Sequence, residues 1–170
     1  MLNVGALFDN NKKWIHTFKL FFSWHNSCGN KLRTYRLFKD EFVFEPYLNW
    51  GTYNQRNILT KFRISSHKLE IEKGRYTCMN IPAELRICRL CKLNVENEIH
   101  FLLECPSLAN TRREILDQIE SRFPNLTFLD IKSKLVWLHS ADDHYIYYQL
   151  YVLLTKLYNK RSDILSSKTH

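Results

Sequence analysis

Between residues 88 and 106 the chain reads Cys88-Arg-Leu-Cys91-Lys-Leu-Asn-Val-Glu-Asn-Glu-Ile-His100-Phe-Leu-Leu-Glu-Cys105-Pro106, a C-x2-C-x8-H-x4-C pattern. Three thiolates and one imidazole make a four-ligand set of the kind Zn(II) takes in a tetrahedron. The two-residue gap lets both sulfurs of one turn face the same centre. The eight-residue gap lets the chain fold back and present the second pair. Four protein ligands leave no open position for water, so the zinc expected here is structural, not catalytic. Two rival readings are a redox Cys-x-x-Cys, which needs a thioredoxin-like βαβ setting not seen here, and thiols that hold no metal.

The local sequence around His100 sets a geometric condition. A short helix over 96–104 would begin with Glu96 and Glu98 at its positive end. His100 and Cys105 are five residues apart, about 140° around an ideal helix. Both reach one metal only if the helix ends or loosens before Cys105, and Pro106 is consistent with that. Ile99, Phe101, Leu102 and Leu103 are expected in the core. Cys28 and Cys78 lack a flanking histidine and read as ordinary small residues.

Five cysteines, an odd number, argue for reduced thiols over a disulfide framework and so for an intracellular setting, nucleus or cytoplasm. The opening residues lack a basic stretch followed by a long apolar segment, so no secretory signal is expected. No apolar run is long enough to span a membrane. With 170 residues, 45% hydrophobic and only 4 Gly and 4 Pro, the chain has the makings of one real core.

The periodicity is that of a mainly α protein, a helical domain with one embedded CCHC zinc module. Amphipathic stretches are expected over 11–24, 30–39 and 57–64, an irregular or short extended connection over 67–77, and helices over 107–122, 132–139 and 142–160. Ser107 reads as the cap of the first of these last three, and Lys156, Lys160 and Arg161 as charges suited to the end of the last. The expected organisation is a basic helical part over 1–75, the zinc module and following helix over 76–125, and C-terminal helices over 126–170, together one compact unit.

Asp142-Asp143 invites comparison with the metal-binding pair of polymerases, but helix-opening acids explain it better because a long helical pattern follows. The chain has no Gly-rich phosphate loop, no G-x-S-x-G and no H-E-x-x-H, and its other histidines lack paired acids. No enzyme is expected.

The net charge is +8, and residues 1–75 hold 13 of the 25 basic residues against 6 of the 17 acidic ones. Such a bias suits nucleic acid, or a solvated basic surface. The expected phosphate contacts are Lys31, Arg33, Arg36, Lys39, Lys61, Arg63, Lys68, Lys73 and Arg75, joined by Arg89, Lys92, Arg112 and Arg113, with Tyr35 and Tyr76 as stacking candidates. The rival is a structural or protein-interaction domain in which zinc only stabilises the fold. That rival gains if the cations scatter or pair with Glu41, Glu70 and Glu72.

The segment Cys88-x2-Cys91-x8-His100-x4-Cys105-Pro106, with Glu98-Ile-His-Phe-Leu-Leu-Glu-Cys105 inside it, resembles the zinc-binding segment that follows the polymerase in non-LTR retrotransposon reverse transcriptases. The upstream runs Leu59 to Tyr76 and Lys31 to Lys39 are similar to what precedes that cluster, so the likeness covers residues 28–125. It implies a C-terminal accessory domain that engages template RNA or target DNA beside a separate polymerase and endonuclease. The chain carries neither of those modules and is expected to be the detached end of such an element, or a gene derived from one.

Overall fold

The computed structural model describes Leu32, residues 34–39, 44–77 and 80–167. The expected helix over 11–24 and the residues Cys28, Lys31, Arg33, Glu41 and Cys78 lie outside them. The described part is mainly helical, with α1 (Tyr35–Phe38), α2 (Tyr53–Arg63), α3 (Glu70–Lys73), α4 (Ala109–Arg122), α5 (Ile131–Ser140) and α6 (His144–Ser167). Short 3-10 turns lie between several of them, and a π-turn spans His100–Glu104.

Helix α6 is the spine, packing along both α4 and α2. Its buried positions Ile146, Leu150, Leu153, Leu154 and Leu157 recur at three- and four-residue steps. Against them lie Leu59 and Phe62 of α2, Ile115 and Ile119 of α4, and Phe101 and Leu102 of the π-turn. Asp143 starts α6 by accepting the amides of Tyr145 and Ile146 at 2.7 and 3.4 Å. Asp142 accepts the Tyr147 hydroxyl at 2.7 Å. The acid pair thus opens a helix.

Helix α2 begins four residues earlier than its apolar pattern, because Thr52 and Gln55 form a reciprocal capping box. Asp130 caps α5 through the amides of Lys132 and Ser133. Helix α4 departs from expectation. A 3-10 turn over Pro106–Leu108 precedes it, and Ser107 lies inside that turn with no capping role. The 67–77 stretch is the irregular alternative and not the extended one, and it holds the single helical turn α3. At its end Gly74 packs against the Arg86 side chain, which a Cβ there would meet at 2.7 Å. Arg86 in turn donates to the carbonyls of Ile71 and Ile81 at 2.6 and 2.8 Å, tying α3 to the segment that enters the cysteine pair.

Candidate metal centre

Cys88 and Cys91 sit on a short hairpin. Ile87 and Val95 form an isolated antiparallel bridge, flanked by the amide of Cys88 on Asn94 O at 2.8 Å and that of Glu96 on Arg86 O at 2.9 Å. The turn closes with the Lys92 amide on Cys88 O at 2.9 Å and Lys92 at φ +62°, in the left-handed region. Both sulfurs thereby face inward on the same side.

The other two residues come from the turn that follows. Asn97 Oδ1 accepts the His100 amide at 2.8 Å and starts a helical turn there. That turn widens at once to the π form, with the Cys105 amide reaching back five residues to His100 O at 2.6 Å. The widening brings Cys105 over His100 instead of far round the helix, which is the loosening that the five-residue spacing demands. Pro106 then ends it. Phe101 and Leu102 are buried and Ile99 and Leu103 pack against the core, as expected.

One potential ligand atom from each of Cys88, Cys91, His100 and Cys105 lies within 4.8 Å of the others. Cys88 Sγ is 3.9 Å from Cys105 Sγ, and Cys91 Sγ is 3.3 Å from His100 Nε2. Cys88, His100 and Cys105 are buried and Cys91 is half-buried. The four residues predicted from spacing therefore converge on a site able to hold a metal ion.

Burial pushes the Cys88 thiol up to about 12, with the Glu96 carboxylate and Cys105 adding to the rise. Burial also raises Cys105. At Cys91 burial acts the same way, but hydrogen bonds from the Leu93 amide, the Cys88 side chain and the Asn94 amide outweigh it and bring that thiol below its ordinary value. Burial lowers His100, favouring the neutral imidazole that ligates a metal. Its Nδ1 has no hydrogen-bond partner and lies 3.8 Å from Glu104 Oε2.

The helical segment that runs into the π-turn begins at Glu98, with Glu96 just before it, as the sequence predicts; both carboxylates are also buried and serve as acceptors across the core. Glu96 takes the Glu70 amide and the Arg161 guanidinium. Glu98 takes the Ser65 hydroxyl and His67 Nε2 at 2.7 and 2.8 Å. Arg161 is correspondingly no solvent-facing charge at a helix end. Burial opposes its charge, but Glu96, Glu70 and Cys88 more than restore it, so its affinity for the proton is raised. The legible signal is its register: Arg161 continues the buried stripe of α6 four residues beyond Leu157.

Of the thirteen cations named from sequence, the eleven among the described residues divide sharply. Arg63 is buried, with its guanidinium between the Phe38 and Tyr47 rings at 4.6 and 4.8 Å and bonded to His139 O and Glu45. Arg112 is buried and donates to Leu102 O at 2.7 Å and Cys105 O at 2.9 Å. Both guanidiniums are consumed inside the fold and leave the set of surface contacts. Lys39 pairs with Glu45 at 3.2 Å, Lys73 with Glu70 and Arg75 with Glu72, each at 3.6 Å. Arg36 is half-buried on α1. Lys61, Lys68, Arg89, Lys92 and Arg113 are exposed. Of the stacking candidates, Tyr76 is exposed, whereas Tyr35 is buried with its hydroxyl on Glu45 at 2.8 Å. Among the described residues no helix is long and apolar enough to cross a membrane.

No family model matches the chain, no curated protein matches it, and no solved structure matches it.

Proposed function

We propose that the protein is a zinc-stabilised nucleic-acid-binding module without polymerase activity of its own, derived from the C-terminal region of a non-LTR retrotransposon reverse transcriptase. The observation that carries the reading is the cluster of Cys88, Cys91, His100 and Cys105. For tetrahedral zinc, bond lengths of about 2.3 Å to sulfur and about 2.0–2.1 Å to nitrogen put neighbouring sulfurs ~3.8 Å apart and sulfur and nitrogen ~3.5 Å apart. The separations of 3.9 Å and 3.3 Å match that size. Three sulfurs and one imidazole suit a soft-to-borderline ion and disfavour Ca(II) or Mg(II), which take oxygen ligands. A divalent cation also accounts for a buried thiol such as Cys88, which burial keeps protonated in the absence of metal. When bound, zinc supplies folding energy by joining the hairpin to the π-turn.

The derivation from a retrotransposon rests on the ligand spacing and the flanking runs that resemble that family. Nucleic-acid binding rests on the net charge and on the exposed cations that remain after the internal pairs are removed. A specific observation favours the second reading, a protein-interaction domain: Lys73 and Arg75 pair with Glu70 and Glu72. The phosphate footprint is therefore smaller than the sequence suggests. Metal analysis is expected to give one zinc per chain. Titration with single-stranded RNA and DNA is expected to give an affinity that falls with salt. Metal-free protein with an unchanged melting curve rejects the zinc site, and no affinity at low salt favours the interaction domain.

A further inference from the structure

Behind the metal cluster, α2, the 66–68 turn, the cysteine hairpin and the end of α6 enclose a cleft of about 790 Å³. Its apolar lining includes Ile58, Tyr158 and Leu165, and its cations include Lys61, Lys68 and Arg89. No carboxylate is among its lining residues. Arg161 lines it too, but its charge is answered by Glu96. Among the described residues Lys61 and Lys68 make no ion pair. Arg89 reaches Glu70 only at 4.0 Å and its side chain is half exposed, a contact of little energy. The end of α2, the turn just after it and the distant cysteine hairpin thus bring positive charge to one cleft.

We propose that this cleft receives an unpaired nucleotide of a single-stranded nucleic acid, with backbone phosphate at Lys61, Lys68 and Arg89 and a base against Ile58, Tyr158 and Leu165. The proposal rests on the nucleic-acid reading above and adds to it the place of binding and the state of the strand. The cleft volume falls in the range of pockets that enclose a small organic group. A base joins a planar apolar face to a polar edge, and the cleft offers apolar side chains beside the hydroxyls of Ser66 and Ser162. In a duplex the base is stacked and paired and is not free to enter. In a single strand it is already available, so electrostatic attraction and burial of the base act together.

The experiment is an anisotropy titration of the zinc-loaded full chain with fluorescein-labelled oligo(U), oligo(dT) and a duplex of equal length, each from low to moderate salt. The expected result is that one or both single strands bind more tightly than the duplex. Substituting Lys61, Lys68 and Arg89 together by Ala is expected to weaken single-strand binding by at least about tenfold and to lower the salt slope by about 2, near 0.7 per lost phosphate contact. Ser162→Trp, which fills the cleft without changing charge, is expected to weaken binding as well. Lys132→Ala, exposed and away from the cleft, is expected to stay within about twofold. Melting curves establish that each variant is folded.

Wild-type affinity in the folded triple variant and in Ser162→Trp overturns the cleft while leaving the nucleic-acid reading intact. Duplex binding as tight as single-strand binding overturns the unpaired nucleotide. Displacement of the oligonucleotide by an equal concentration of polyglutamate overturns the choice of nucleic acid over an acidic peptide. Failure of the wild-type chain to bind any of the three probes overturns both readings together.

Discussion

Arg161 grips Glu96 at two points, Nη2 to Oε2 at 2.7 Å and Nε to Oε1 at 2.9 Å, and that same Oε1 lies 3.7 Å from the Cys88 sulfur. A guanidinium from the last helix is thereby connected, through one buried carboxylate, to a residue of the metal cluster. Glu96 also accepts the Glu70 amide at 2.8 Å, so α3, the hairpin and α6 meet at one side chain. On the other side Arg112 bonds the Cys105 carbonyl. Three thiolates around a divalent cation carry a net negative charge, and Cys105 and Cys88 act favourably on the charges of Arg112 and Arg161 respectively.

Arg161→Met leaves Glu96 as a buried carboxylate without its cation. The expected loss is about 3–5 kcal/mol of stability, with metal affinity down by about 10–100-fold through the disturbed surroundings of Cys88. Combining it with Glu96→Gln is expected to cost less than the two single changes added together, because the charge stranded by either change is then absent. Chemical denaturation of the four proteins measures the coupling. An Arg161→Met variant as stable as wild type would mean that the pair contributes nothing.

Removing the metal has a distinct signature. A strong chelator is expected to cost the segment 88–105 its order and to lower the melting temperature steeply, reversed by one equivalent of zinc. Cys105→Ser is expected to reproduce the loss without a chelator. Because burial holds the Cys88 and Cys105 thiols above their ordinary values, binding displaces protons. Apparent zinc affinity is therefore expected to rise with pH through the neutral range, as competition with a chromophoric chelator reads directly. An affinity independent of pH would exclude thiolate ligation.

The candidate metal residues were legible because ligand chemistry fixes both residue type and spacing, and the five-residue step from His100 to Cys105 even demanded a loosened turn. The fold class was legible because periodic apolar residues write helices plainly along α4, α5 and α6. The roles of individual charges were not. Arg63, Arg112 and Arg161 have the same side chain as the exposed Arg89 and Arg113, and composition cannot tell them apart. Register carries a partial signal: Arg112 lies three residues before Ile115 and seven before Ile119, on the buried face. Glu96 and Glu98 do stand at the start of a helical segment, but their buried roles were hidden for the same reason. Local sequence shows two acids before a helix, whereas their partners Arg161, Ser65 and His67 are supplied by elements distant in the chain. The missing Ser107 cap reflects a 3-10 turn set by Pro106, a conformation that helix-cap rules do not anticipate.

Arg112 is a case where stability and binding separate cleanly. Its guanidinium satisfies the carbonyls of Leu102 and Cys105, so Arg112→Met is expected to cost about 1–3 kcal/mol by leaving buried acceptors unmatched. Oligonucleotide affinity of the folded, metal-loaded variant is expected to remain at the wild-type level. Arg113→Met, one residue on and exposed, is expected to leave stability unchanged. Unchanged stability with lost affinity in Arg112→Met would return this residue to the phosphate-binding set.

His139 gives the clearest dependence on pH. Its side chain is buried with both ring nitrogens unpartnered, between Phe38 and Phe62 at ring separations of 5.0 and 5.6 Å. Burial, reinforced by the charge of Arg63, lowers it to about 3. The unfolded chain, with an ordinary value near 6.5, takes up a proton that the folded chain refuses. This contribution to stability is therefore fully present above about pH 6.5 and declines as pH falls toward about 3, at up to ~1.4 kcal/mol per pH unit. His139→Phe keeps a ring in the stack and the backbone carbonyl that Arg63 uses, and it removes two unmatched polar atoms. At pH 8 it is expected to be as stable as wild type or about 1 kcal/mol more so. Its advantage is expected to grow with each step down from pH 6.5, in urea melts of both proteins at constant ionic strength. Parallel stability curves from pH 8 to pH 5 would show that the imidazole is charged inside the fold, contrary to the burial that surrounds it.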